Sequence, residues 1–272
     1  LLPTSRPDIL GFKYSEWAME GASKRHALVT GGGKGIGRAI AGAFAGKGVR
    51  VSVLGRELSA LEAAVAAGDA HVAIVADVTK PQALRDAVAM AEREAPIDIL
   101  VNNAGGVETG PFLRLGDDVF ERQLTLNLMG TVRMTRAVLR GMTERGFGRV
   151  INIASTAGLK AYPYVCAYVA AKHAVVGFTR ALALEMAKSG VTVNAICPGY
   201  TDTDLVRESV ERIRAKGGRS GEDVLAKLTA ANPQGRLVQP REVACVAAWL
   251  ASDEAGSVTG QTIAVDGGET VS

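Results

Sequence analysis

From residue 26 onward, short and nearly continuous apolar runs alternate with longer amphipathic segments, and few architectures accommodate that alternation. The runs at 26–29, 50–54, 71–76, 97–101, 149–154, 192–197 and 262–265 lack the strict apolar–polar alternation of a strand with one wet face. They fit parallel strands covered on both faces. Between them, 37–47, 59–67, 81–94, 117–144, 166–189 and 240–252 carry helical patterns. Strand–helix–strand units close with right-handed crossovers. The expected fold is therefore α/β, a doubly wound sheet of about seven parallel strands with helices on both faces.

A chain of 272 residues with 47% hydrophobic content supplies the core of one large domain. No repeat or Pro-rich linker divides it, so 25–272 is expected as a single domain. Residues 1–24 differ: they show no sustained period, carry Pro3, Pro7, Gly11, Trp17 and Gly21, and lack the parts of a signal peptide. They are expected to be a peripheral or poorly ordered extension. The polar stretch 201–232, with Gly217-Gly218, follows a strand end and is expected to form a lid over the ligand crevice.

A net charge of +3 without a basic stripe argues against nucleic acid as a partner. No apolar run reaches the roughly eighteen residues that would span a bilayer, so a membrane is not an expected partner either. Cys166, Cys197 and Cys245 are odd in number and form no C-x-x-C. This argues against a disulfide framework or a structural zinc, and no metal is expected. It fits a reducing cytoplasm. Cys166, two residues before Tyr168, reads as a small apolar filler.

Thr30-Gly31-Gly32-Gly33-Lys34-Gly35-Ile36-Gly37 follows the first strand and opens a helix, the context that lets bare backbone approach a pyrophosphate. The second strand ends Val53-Leu54-Gly55-Arg56, with no acid placed for the ribose hydroxyls of NAD. Arg56 is suited to fork onto a phosphate, and Lys34 adds a second positive charge. NADP(H) is thus expected over NAD(H), with Glu57 as the opposing feature. Two further strand ends, Asp77-Val78 and Asn102-Asn103-Ala104-Gly105, point into the same crevice, Asp77 toward an adenine and Asn102 in a structural role.

Ser155 closes the fifth strand, thirteen residues before Tyr168, and Lys172 follows one helical turn later on the same face. A free Tyr, with a pKa of about 10, is a poor base at neutral pH. A neighbouring ammonium favours the phenolate. Ser155 is placed to donate a hydrogen bond to a substrate oxygen. Together these groups suit proton transfer beside a carbonyl. A Tyr-x-x-x-Lys pair alone reads more readily as amphipathic surface than as catalysis. The Ser spacing and the glycine loop change that.

These motifs, with Pro198-Gly199-Tyr200-Thr201-Asp202-Thr203 and Val265-Asp266-Gly267-Gly268, resemble the short-chain dehydrogenase/reductase family over residues 25–268. The resemblance implies a Rossmann-type fold and a nicotinamide dinucleotide. It implies that Tyr168 is the acid in reduction and the base in oxidation, and that Lys172 holds the nicotinamide ribose and lowers the Tyr168 pKa. It also implies that Ser155 orients the carbonyl and that Asn127 joins a proton relay through Lys172 and water. Thr201 and Thr203 would contact the carboxamide. A homotetramer is implied as well, and the largely apolar 167–186 helix is compatible with a covering partner.

The segment 232–244 is similar to 3-oxoacyl reductases, implying a small carbonyl or alcohol substrate such as an acyl thioester. An NAD-dependent secondary alcohol or 3-hydroxyacyl-CoA dehydrogenase stays open, as does a dinucleotide-sensing binding protein. One fold and one catalytic set serve many alcohols. Tyr162, Pro163, Tyr164, Leu205, Val206 and Leu228 are expected to wall an apolar pocket.

Overall fold

The computed structural model describes residues 25–204, 206–207, 226 and 228–271. The expected extension 1–24, Leu205 and most of the expected lid lie outside them. Seven strands form one parallel sheet: β1 (His26–Thr30), β2 (Arg50–Gly55), β3 (Val72–Val75), β4 (Ile99–Asn102), β5 (Gly148–Ile153), β6 (Val191–Pro198) and β7 (Thr262–Val265). Their spatial order is β3-β2-β1-β4-β5-β6-β7. This is the expected doubly wound sheet.

Alternate residues of each strand supply the two faces. Ala27, Val29, Val51, Val53, Val101 and Ile151 pack with α1 (Gly35–Ala45), α2 (Leu58–Ala66) and α7 (Pro240–Leu250). Leu28, Leu54, Leu100, Val150 and Val193 face α3 (Pro81–Glu92), α5 (Gly130–Glu144) and α6 (Cys166–Met186). Because both faces are covered, the central strands are buried along their length, which explains the unbroken apolar runs.

One helix departs from expectation. The segment 117–144 is not continuous: α4 (Asp117–Leu124) passes through a π-helical turn, Thr125–Met129, before α5 begins. Apolar periodicity does not register a single wide turn, which takes in one residue more than an α-turn.

Between β4 and β5 the interior is polar. The Asn102 amide donates to Asn152 Oδ1 at 2.9 Å and to Thr135 Oγ1 at 3.0 Å. Asn152 passes the chain on to Thr179 Oγ1 at 2.9 Å. These bonds join β4, β5, α5 and α6 through buried polar side chains. Asn102 therefore faces the interior rather than the crevice.

Phe44 of α1 is fully buried against the sheet. Phe44→Ala should destabilise the domain by about 3–5 kcal/mol, read from the shift of the urea-unfolding midpoint.

Candidate active site

The strand order reverses between β1 and β4, and there the carboxyl ends of the strands open a crevice. Thr30 and Asn103 tie its two sides together. The Thr30 hydroxyl accepts the N–H of Asn103 at 2.9 Å and of Ala104 at 3.0 Å. The Asn103 amide in turn donates to Thr30 O at 3.0 Å and Gly31 O at 3.1 Å.

The glycine loop then turns into α1 with Gly31 at φ 63° and Gly35 at φ 53°. A Cβ on Gly37 would lie 2.3 Å from the Gly31 carbonyl oxygen, so only glycine allows the loop to close on the helix. Gly33 lies against the backbone of Ala60 and Leu61, and Ile36 packs on the core. Lys34, at the helix N-cap, makes no side-chain cap bond. The first-turn N–H groups therefore face a bare-backbone cradle, which fits the pyrophosphate of a dinucleotide.

At the β2 end, Arg56 is exposed, and Lys34 pairs with Glu57 at 2.7 Å. Lys34 holds the Glu57 carboxyl below its ordinary range. Asp77 accepts the N–H and hydroxyl of Thr79, both at 2.8 Å. Burial pushes its carboxyl up, but the Thr79 bonds and the Arg56 and Lys80 charges outweigh that and leave it lowered. The Val78 side chain is core, packed on Gly130 of α5.

At the chemical end, Ser155 Oγ accepts the Ala157 N–H at 3.1 Å and lies close enough to the Tyr168 hydroxyl to pull its pKa down. Lys172, buried below, donates from Nζ to Ile153 O at 2.8 Å and stands 5.6 Å from the Tyr168 ring centroid. Gly105 brings the Asn-Asn-Ala-Gly turn to the same place: a Cβ there would meet Asn127 Oδ1 at 2.7 Å and Lys172 Nζ at 3.7 Å.

Asn127 lies in the π turn, buried. Its amide donates to Gly106 O at 3.0 Å and to Gln123 O and Oε1 at 3.1 Å. Its Oδ1 accepts the Gly106 N–H at 3.2 Å. The side chain is thus engaged by its own neighbours. Its backbone carbonyl accepts from Thr131 Oγ1 at 3.1 Å.

Burial dominates the electrostatics. It raises the Tyr168 pKa, against which Ser155 pulls down. It lowers Lys172 to about 8 and pushes the Cys197 thiol up to about 11. Lys172 is not among the groups that shift the Tyr168 phenol: its amine donates to the Ile153 carbonyl, and desolvation raises the phenol.

Pro198 ends β6, and the Gly199 N–H bonds Val265 O at 3.1 Å. The Thr201 hydroxyl donates to Gly199 O at 2.9 Å and that of Thr203 to Thr201 O at 3.3 Å. The Thr203 methyl faces Gly35, so the two loops meet across the crevice. Of the expected wall, Tyr164 is exposed at φ 66°, while Pro163 is exposed and Val206 and Leu228 are half-buried. Tyr162 is not a plain apolar wall: its hydroxyl reaches Glu269 and Thr156.

Thr30, Gln123 and Glu269 were not legible as site residues. Thr30 had a detectable cue, a hydroxyl at a strand end just before the glycines. Glu269 had only its place behind Asp266-Gly267-Gly268. Among the described residues, no group of His, Cys, Asp and Glu is placed to hold a metal, and no helix is long and apolar enough to cross a membrane. The three cysteines are unpaired: Cys197 is buried, Cys166 half-buried and Cys245 exposed.

The sequence model described as short chain dehydrogenase matches residues 25–214. A Streptomyces coelicolor protein provisionally named a ketoacyl reductase is 41% identical over 251 residues, covering 89% of this chain and 95% of its own. An acetoacetyl-CoA reductase of Shinella zoogloeoides is 40% identical over 249 residues, covering 90% of this chain and 98% of its own. The crystal structure of an actinorhodin polyketide ketoreductase variant with NADPH superposes with a TM-score of 0.87 at 38% identity. The match covers 92% of this chain and 98% of that one.

Because burial lowers Lys172 to about 8 from its ordinary 10.5, the unfolded chain binds more protons between those values. Stability from this group should rise with pH from about 8 to 10.5. Unfolding titrations should show that slope flattened in Lys172→Met relative to the unsubstituted protein.

Proposed function

The chain belongs to the short-chain dehydrogenase/reductase family, and on that premise we propose that it reduces the 3-oxo group of an acyl thioester with NADPH. It is an oxidoreductase of a family that binds a nicotinamide dinucleotide and acts on small molecules. The observation that carries the reading is buried Lys172, held on the Ile153 carbonyl one helical turn from Tyr168, with Ser155 acting on the Tyr168 phenol at the mouth of the glycine crevice. Similarity to an acetoacetyl-CoA reductase and to a polyketide ketoreductase supports the substrate class.

The dinucleotide, when bound, supplies or accepts the hydride. Gly31, Gly33, Lys34, Gly35, Ile36 and Gly37 would hold its pyrophosphate. Asp77, Val78, Asn103, Ala104 and Gly105 would border the adenosine side of the crevice. Pro198, Gly199, Thr201 and Thr203 would border the nicotinamide. Ser155 donates a hydrogen bond to the substrate carbonyl. Tyr168 delivers the proton as charge builds on that oxygen. The phenol, whose pKa burial raises, is protonated at neutral pH, the state in which it can donate. Lys172 replenishes the proton, and Asn127, in the π turn beside it, is the next member of the relay.

Preference for NADPH rests on Arg56 and Lys34. The Lys34–Glu57 pair is exposed on both sides, so it holds Lys34 weakly against a phosphate. Glu57 also favours the second reading, an NAD-dependent alcohol or 3-hydroxyacyl-CoA dehydrogenase, because its carboxylate is placed to accept from ribose hydroxyls. The domain is taken as 25–272, with 201–232 as its lid. A homotetramer is supported by the outer face of α6, where Ala170, Gly177 and Ala181 are exposed along the helix and Leu184 is 80% exposed. Three unpaired thiols favour a cytoplasmic setting.

Fluorescence titration with NADPH and NADH, followed by turnover on acetoacetyl-CoA, tests the proposal. NADH preference without thioester reduction moves the reading to the alcohol dehydrogenase. Tyr168→Phe should cut kcat about 10²–10⁴-fold while leaving the NADPH Kd nearly unchanged. Retained turnover would remove Tyr168 as the acid. Arg56→Asp should reverse the NADPH:NADH ratio of kcat/KM; an unchanged ratio would place the 2′-phosphate elsewhere.

A further inference from the structure

We propose that Glu269 is a positioning residue that fixes the hand of the alcohol product, by holding three turns together as one wall beside Ser155 and Tyr168. The proposal rests on the carbonyl-reductase reading above. Glu269 is 1% exposed, in the turn that follows β7. That turn is built without it. Asp266 accepts the Gly268 N–H at 2.9 Å, the Thr270 N–H at 2.8 Å and the Thr270 hydroxyl at 2.7 Å. The Glu269 carboxylate is instead spent on two other segments.

The first segment follows Ser155. Lys160 Nζ donates to Glu269 O at 3.0 Å and lies 3.7 Å from Oε1. The Tyr162 hydroxyl bonds the same Oε1 and stands 2.7 Å from Thr156 Oγ1. A carboxylate only accepts and a phenol has one proton, so Tyr162 donates to Glu269 and Thr156 donates to Tyr162. The chain of bonds therefore ends on the residue next to Ser155.

The second segment follows β6. A Cβ on Gly199 would come within 3.1 Å of Glu269 Oε2, so the Pro198-Gly199 turn rests on the carboxylate. The next residue, Tyr200, packs edge-on against Tyr162 with ring centroids 6.4 Å apart. Tyr200 is 37% exposed, so its ring is presented to the crevice side rather than buried in the core.

Ser155 and Tyr168 fix the carbonyl oxygen, and the glycine crevice fixes the side from which hydride arrives. One freedom is left: which of the two carbonyl substituents lies against the Tyr162–Tyr200 wall. Exchanging them presents the other face and gives the other enantiomer. A wall held by charge-assisted bonds to a buried carboxylate resists that exchange.

The test measures the enantiomer ratio of the 3-hydroxy product by chiral chromatography, on ethyl 3-oxobutanoate and on acetoacetyl-CoA, together with the NADPH Kd and melting temperature. Tyr162→Phe should lower the ratio roughly tenfold and raise the ketone KM, with NADPH Kd unchanged. Glu269→Leu should do the same, and the double variant should go no further than either. Glu269→Gln should keep most of the ratio, because its amide oxygen still accepts from Tyr162. A wild-type ratio in Tyr162→Phe overturns the proposal whatever Glu269→Leu does, and so do additive effects. Reduction of ethyl 3-oxobutanoate without acetoacetyl-CoA removes the thioester reading and leaves the enantiomer measurement decisive.

Discussion

The Thr30 hydroxyl takes N–H bonds from Asn103 and Ala104 and so joins the ends of the two strands between which the sheet order reverses. Chains leaving β1 and β4 diverge to opposite faces, and without a cross-tie the crevice would have no fixed width. The tie sets the position of the glycine loop through the Asn103 amide. Through Gly105 it sets the approach of Asn127 and Lys172. Cofactor end and chemical end are therefore positioned from one point in the fold.

The charges at the chemical end are governed by water exclusion more than by attraction. Lys172 and Tyr168 are shifted in opposite directions, each toward its neutral form. Both groups are shifted by desolvation rather than by each other's charge. Ser155 moderates the phenol without reversing its shift.

Much of this was legible in the sequence. Parallel strands buried on both faces leave unbroken apolar runs, and all seven were found within a few residues. Ser155, Tyr168 and Lys172 were legible because a fixed spacing on a strand end and one helix turn carries its own geometry. Asn127 was reached only through the family resemblance, because a π turn leaves no mark in apolar periodicity. The orientation of the Lys172 amine was also hidden, since it depends on a carbonyl of β5 distant in sequence. Glu269 escaped for the same reason: its partners, Lys160 and Tyr162, are more than a hundred residues away. Contacts of that range have no local pattern.

The wide turn at Thr125–Met129 couples the site to the core by register. Each helical residue advances the helix by about 100° of rotation, from 3.6 residues per turn. Removing one residue there would restore an unbroken α-helix and swing all of α5 by that angle. Met134, Val138 and Met142 would then leave the sheet face they now fill. The length of this helix is therefore fixed by two masters, the Asn127 amide at one end and three core side chains at the other. Divergence in the neighbourhood is open to substitution and closed to single-residue insertion or deletion.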